Sequence, residues 1–231
     1  MSQPELTKEI RLNKYLALHA ALSRRQADEL IAEGYVKING VVAVIGARVQ
    51  PDDRVEVDGA LLEPTTQYVY LAFNKPVGYV CSRKQQGDSP TIYDLIPEKY
   101  HSLKPVGRLD RDSSGIILLT NDGDFAQRMT HPSYGKTKQY QVRLDHPLEP
   151  LHQQMISDFG VELEDGKSQL TLERQSDNRK KWTISMHEGR NRQIRRTFGA
   201  LGYTVVALNR THFGNYSLDD LDSGTVREVT I

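Results

Sequence analysis

What the sequence lacks excludes several kinds of chemistry. Among 231 residues there is a single cysteine, Cys81, so no intramolecular disulfide forms and no zinc site built on paired cysteines is possible. No run approaches the roughly 18 apolar residues of a membrane span, and the opening MSQPELTKEI has no apolar signal-peptide core. A soluble cytoplasmic protein is expected, with no membrane partner. There is neither a G-x-x-x-x-G-K-[ST] loop nor a G-x-G-x-x-G turn, so no nucleotide cofactor is indicated. The seven histidines are scattered, and no metal site is expected. Net charge is absent too, because 30 Lys and Arg balance 30 Asp and Glu.

That balance hides segregation. Between Arg174 and His212 nine Lys and Arg face two acids, Asp177 and Glu188, whereas from Leu144 to Glu173 seven acids face Lys167 alone. A concentrated basic stretch is the footprint of a polyanion-binding face, although a charge run can equally be a solvated surface.

Local patterns divide the chain. In RLNKYLA, Leu12, Tyr15 and Leu16 recur at helical spacing. In LSRRQADELIAEG, Ser23 and Gln26 form a capping box, Ala27, Leu30 and Ile31 line one face, and Gly34 closes the helix. Val36, Lys37 and Ile38 then lead as a strand into the hairpin turn Asn39-Gly40, with further β-rich pieces at 47–49 and 54–57. LLEPTTQ, residues 61–67, reads as a linker between units at 1–60 and 68–231. In the second unit strands are expected at 68–73, 116–120, 139–144, 168–173, 181–186 and 204–208, and helices at 124–130, 150–159 and 191–201. Their irregular alternation predicts an α+β fold with a mostly antiparallel mixed sheet.

Residues 106–120, VGRLDRDSSGIILLT, place Asp110 between Arg108 and Arg111, just before a buried strand. Flanking cations keep a carboxylate ionised, and the residue could be a structural ion pair, a metal ligand or a nucleophile. Taken alone, the ion pair is the ordinary reading. Asp112 could make it half of a glycosidase pair, but such close turn positions point apart, and the surrounding cations favour a polyanion over a neutral sugar. Cys81 follows a strand-like segment and reads as a core thiol.

Two resemblances carry the reading further. RLNKYLA, SRRQADELIAEG, VKING and VQPDDRVEVDG, in that order, resemble the αL RNA-binding module first known from a small-subunit ribosomal protein. There Arg11, Lys14, Arg24, Arg25 and Lys37 would contact phosphates, with Ser23 and Asn39 donating hydrogen bonds nearby. GRLDRDSSG, with FNKPVGYV at 73–80, KQYQV at 138–142 and EGRNRQIRR at 188–196, resembles the bacterial ribosomal-RNA pseudouridine synthases, in the branch that carries an N-terminal αL module. The likeness to large-subunit members is the nearer, with small-subunit or transfer RNA as alternatives.

That resemblance implies a cofactor-free isomerase acting on ribosomal RNA, free or in an assembling subunit, as a monomer. Asp110 matches the essential aspartate, Arg195 the basic residue paired with it, and Tyr140 the tyrosine that stacks on the target base and is placed as a general base. Arg108 matches the arginine that fills the space left by a flipped nucleotide. Arg190, Arg192 and Arg196 extend the basic face, and Asn74, Lys75, Pro76 and Gly78 form an architectural loop. The chemistry suits these residue types: breaking a glycosidic bond without releasing the base needs an ionised carboxylate, and an extruded base needs an aromatic surface. The rival from another class is a non-catalytic RNA-binding or ribosome-assembly protein.

Overall fold

A computed structural model describes residues 9–20, 22–63, 67–83 and 87–231. The chain divides into two compact units, one running to Val69 and including Asn121–Gly123, the other comprising Tyr70–Thr120 and Asp124–Ile231.

The first unit begins with β1 (Ile10–Arg11), α1 (Leu12–His19) and α2 (Arg24–Ala32). Ser23 caps α2: its Oγ accepts from the Gln26 amide, and the Gln26 side chain accepts from the Ser23 amide. At the other end Gly34, at φ +82°, allows its own amide to reach Ile31 O and that of Tyr35 to reach Leu30 O, a Schellman ending. Five strands follow: β2 (Val36–Ile38), β3 (Val41–Val42), β4 (Arg48–Val49), β5 (Val55–Val57) and β6 (Ala60–Leu61). They form the ladder β3-β2-β5-β6, with β4 paired to β1. Asn39 and Gly40 both take positive φ, 52° and 80°, as a two-residue hairpin turn requires. Leu12, Tyr15, Leu16, Ala27, Ile31, Val36, Val49 and Val55 make the core. Leu61 pairs with Glu56 inside β6, so the expected linker begins one residue too early; its residues 64–66 lie outside the described residues.

The second unit contains β7 (Tyr70–Lys75), β8 (Lys104–Val106), β9 (Ser114–Thr120), α3 (Gly123–Thr130) and β10 (Lys138–Leu144). Next come α4 (Pro150–Gln154), which continues as a π-turn over Met155–Phe159, and the strands β11 (Val161–Leu163), β12 (Gly166–Ser168), β13 (Thr171–Arg174) and β14 (Lys181–Met186). The chain closes with α5 (Gln193–Gly199), β15 (Val205–Phe213), β16 (Tyr216–Ser217) and β17 (Val226–Glu228). The large sheet runs β13-β14-β10-β15-β9-β7-β17, with β8 on β9 and β16 on β15. Between the strands of this sheet the β15–β9 pairing is parallel and the other described ones are antiparallel, so the expected α+β, mostly antiparallel mixed sheet is the observed one.

Several expected elements differ; the strand expected at 68–73, for one, runs from Tyr70 to Lys75. The strand at 168–173 is two strands, because Gly166–Ser168 pairs with β11 and Thr171–Arg174 with β14, while the Leu170 amide between them donates to Ile156 O. The helix expected from 191 starts at Gln193, since Arg192 is left-handed at φ +47°. The strand expected to end at 208 continues to Phe213. Trp182, Ile184, Phe198 and Val142 form the core of the β14-β10-β15 half, and truncating a ring such as Phe198 to alanine would cost about 3–5 kcal/mol.

Candidate active site

The turn between β8 and β9 carries Asp110, and its backbone is fixed from below. Lys75, fully buried, donates from Nζ to Pro76 O at 2.9 Å, Asp110 O at 3.1 Å and Ser113 O at 2.7 Å. Burial lowers the pKa of this ammonium, while Cys81, Asp110 and Asp112 act against that shift. The amide of Gly78 adds a bond to Arg111 O at 2.7 Å, and that of Ser113 one to Asp110 O at 3.1 Å. Gly115 then takes φ +113°, where a Cβ would lie 2.2 Å from the carbonyl oxygen of Arg210. Only glycine lets β9 enter beside β15 there.

The cations round this turn are not arranged as the sequence implies. Arg108 is exposed, and Arg111 turns to Ser89 Oγ at 3.1 Å. Among the described residues the one ion pair of Asp110 is with Arg192, Nη1 to Oδ2 at 3.6 Å. The expected Arg195–Asp110 pair is not formed. Arg195 instead reaches Asp112, Nε to Oδ2 at 3.3 Å and Nη2 to the backbone oxygen at 2.9 Å, and its Nη1 donates to Val205 O at 2.6 Å. Arg192 also forks onto Asp112 at 3.0 and 3.1 Å. Asp112 therefore occupies the space between the two arginines. The bonds from Arg192, with the charge of Arg195, hold its carboxyl below the ordinary carboxylate range.

Two further arginines read as RNA contacts have other partners. Arg190 donates to Asp165 Oδ1 and to the carbonyls of Asp165, Gly166 and Lys167, and Arg196 forks onto Asp165 at 2.9 and 2.6 Å. Both clamp the turn between β11 and β12, because a carboxylate and three free carbonyls are presented together there. Beneath them Gln193, 3% exposed, bonds Ser168 Oγ and Glu188 Oε1 and accepts from the Arg190 amide, which orders residues 188–193.

A cleft of about 340 Å³ opens between the Asp110 turn and the 189–194 segment, floored by β10 and β15. Asp110, Arg108, Tyr140, Lys138, Arg192 and Arg210 are among its lining residues. Tyr140 is 8% exposed and sits opposite Arg210 in the β10–β15 ladder; no hydrogen bond to its hydroxyl is made among the described residues. Asp110, Arg108, Asn191 and Arg192 also line a second hollow of about 430 Å³, so Asp110 borders both spaces. Cys81 lies in this second hollow, accepts from the Leu109 amide at 3.4 Å, and its thiol pKa is raised by burial, which fits a packed thiol better than a nucleophile.

In the first unit Arg11, Arg24, Arg25 and Lys37 are exposed and Lys14 is half-buried. Ser23 and Asn39, expected to donate to RNA, have local duties instead. Ser23 is the α2 cap, and Asn39 donates to Asp53 Oδ1 at 2.7 Å while accepting from the Arg54 amide at 2.9 Å.

This geometry joins an aspartate, a tyrosine and several cations on one cleft. A family described as RNA pseudouridylate synthase matches residues 69–200. The chain belongs to this family. Being a pseudouridine synthase, it is an isomerase. The S4 domain, an RNA-binding module, matches residues 10–55, where the αL module was read. A solved structure titled "Crystal structure of pseudouridylate synthase" superposes with a TM-score of 0.68 at 33% identity, covering 96% of both chains. The ribosomal large subunit pseudouridine synthase B of Bacillus subtilis is 37% identical over 226 residues, 95% of this chain and 92% of its own. A protein of the same name from Xanthomonas campestris is 38% identical over 94% of this chain but 46% of its own length.

For this pseudouridine synthase, sequence reasoning missed Lys138 and Arg210 in the cleft. Both carried a signal. Extending the strand alternation back from Tyr140 reaches Lys138, and extending it forward from Leu208 reaches Arg210. The expected strands stopped short at 139 and 208.

Proposed function

We propose that this enzyme converts one uridine of large-subunit ribosomal RNA to pseudouridine, with Asp110 as the carboxylate that acts on the nucleotide and with no cofactor. The observation that carries the reading is the placement of Asp110 and Tyr140 on one cation-lined cleft of about 340 Å³. Tyr140 offers a ring on which an extruded base can stack, and its hydroxyl is available for proton transfer. Arg192 stands at 3.6 Å from Asp110 and pairs with its side chain, while Arg195 positions the turn through Asp112. Arg108, exposed beside Asp110, can enter the gap that a flipped nucleotide leaves. Arg11, Lys14, Arg24, Arg25 and Lys37 supply phosphate contacts for a neighbouring stem. The choice of large-subunit RNA rests on the Bacillus relative of nearly equal length.

The test is pseudouridine mapping of ribosomal RNA, by carbodiimide labelling and primer extension, in cells carrying wild-type protein or Asp110→Asn. One large-subunit uridine is expected to lose its modification in the variant, while RNA affinity stays within about a few-fold. A fully modified large subunit in the variant would refute the role of Asp110, and a lost site in small-subunit or transfer RNA would refute the substrate.

A further inference from the structure

Two cations on the floor of the cleft have no part in holding Asp110. Arg210 is 2% exposed and stands opposite Tyr140 in the β10–β15 ladder. Its Nε donates to Ile116 O at 2.8 Å, and its Cζ lies 4.8 Å from the centre of the Phe213 ring. Its Nη2 is buried and has no hydrogen-bond partner among the described residues. Lys138, two residues before Tyr140, has its ammonium 5.6 Å from the same ring centre and donates to Glu188 O at 3.2 Å. Neither side chain forms an ion pair with a carboxylate among the described residues. Burial lowers the pKa of Lys138, and the charge of Arg210 lowers it further.

Holding two like charges around one aromatic ring, with one donor left unused, is unfavourable in the free protein. The other cations of the region show what satisfaction looks like here: Arg192 and Arg195 sit on Asp112, and Arg190 and Arg196 on Asp165. A field left unneutralised beside the expected stacking residue is arranged for charge that the substrate brings. We infer that Arg210, assisted by Lys138, receives a carbonyl oxygen of the target uracil and stabilises the negative charge that develops on the base as it leaves the sugar. The inference rests on the pseudouridine synthase reading of this site. A phosphate is the poorer occupant, because Arg210 lies at the bottom of the cleft among Leu208 and Phe213, and a backbone phosphate belongs at the mouth.

In the step concerned, the N1–C1′ bond breaks and its electron pair departs with the base. The uracil anion shares that charge among N1, O2 and O4. The positive charge left at C1′ is met by the Asp110 carboxylate. The C5–C1′ bond then forms, the C5 proton leaves and N1 gains a proton, so the product is an isomer and no co-reactant is consumed. Donors aimed at O2 or O4 are worth most while the base is anionic, which makes them transition-state rather than ground-state contacts.

The experiment compares wild type, Arg210→Gln, Arg210→Lys and Lys138→Gln on an RNA fragment bearing the mapped uridine. The same fragment is made with 5-fluorouridine at that position. Fluorine lowers the basicity of N1, so the base leaves with less help. Single-turnover loss of the starting nucleoside and RNA affinity are both measured. Arg210→Gln is expected to slow uridine conversion about 100-fold with affinity within about threefold, and Arg210→Lys to recover about tenfold of that loss. On 5-fluorouridine the Arg210→Gln deficit is expected to shrink to about tenfold, and Lys138→Gln to follow the same pattern from a smaller start.

A wild-type rate in Arg210→Gln, or equal deficits on the two nucleosides, overturns the inference. So does an affinity loss with the salt slope reduced by about one and the rate unchanged, which identifies a phosphate contact. If Arg210→Gln melts early, Lys138→Gln, on the less buried side chain, carries the same comparison. A wild-type chain that converts neither nucleoside overturns the enzyme reading itself, before any variant is compared.

Discussion

Lys75→Met removes the ammonium that holds the Asp110 turn while keeping an unbranched stem of similar length. The side chain is fully buried, and its three acceptors, Pro76 O, Asp110 O and Ser113 O, span both ends of the turn. Each bond from a charged donor contributes about 1.5–3 kcal/mol. Against that, returning a buried ammonium to water recovers several kcal/mol, so the net loss is about 2–4 kcal/mol. Trp182, the single tryptophan and 1% exposed, reports unfolding of the same unit by fluorescence. In urea the midpoint is expected to fall by about 1–2 M. Conversion of the mapped uridine is expected to slow about 100-fold, because a carboxylate displaced by about 1 Å loses that much. A midpoint within about 0.3 M of wild type would refute the ledger. A rate within about threefold of wild type, in a variant that has lost stability, would refute the claim that Lys75 positions Asp110.

Gly115→Ala should cost more than about 3 kcal/mol or abolish folding, since φ +113° and a 2.2 Å approach to Arg210 O both exclude a Cβ; wild-type stability would refute the β9–β15 register. Asp112 has a carboxyl pKa held below its ordinary 3.8, chiefly by hydrogen bonds from Arg192, so its ion pairs stabilise the fold above that value and fade as the pH falls through the lowered one. The melting-temperature gap between wild type and Asp112→Asn is therefore expected to be widest near neutrality and to close in acid, and a gap that does not change with pH would refute the pairing. Replacing Arg24 and Arg25, both exposed on α2, with glutamine should weaken RNA binding and lower its salt slope by about two, measured by titration at several salt concentrations. An unchanged slope would remove them from the RNA interface.

Elements were legible wherever neighbouring residues decide the structure. The Ser23 cap, the Gly34 ending and the Asn39-Gly40 turn depend on groups within a few residues, and each stands where it was read. The same holds for the spacing that buries Leu12, Tyr15 and Leu16. Boundaries failed where distant packing intervenes. The strand expected at 204–208 continues to Phe213 because Gln139 and Lys138 pair with His212 and Phe213 from about seventy positions away. The start of α5 moved because Arg192 is left-handed and forks onto Asp112, eighty residues earlier.

The candidate site divides in the same way. The sequence alone determined which residue types are present and in what order: an aspartate ahead of a buried strand, a tyrosine on a strand, and a run of arginines before a helix. Those motifs point to the family, although the sheet order β13-β14-β10-β15-β9-β7-β17 does not follow their order along the chain. Which cation meets which carboxylate was decided only by the tertiary structure. Asp110 and Asp112 are two positions apart, Arg192 and Arg195 three, and no local rule chooses among the pairings. Packing chose by placing Asp112 between both arginines and leaving Asp110 at the cleft with Arg192 alone. The fold likewise gathered Lys138 and Arg210 round one phenylalanine, far apart in sequence and adjacent only because β10 and β15 share a ladder.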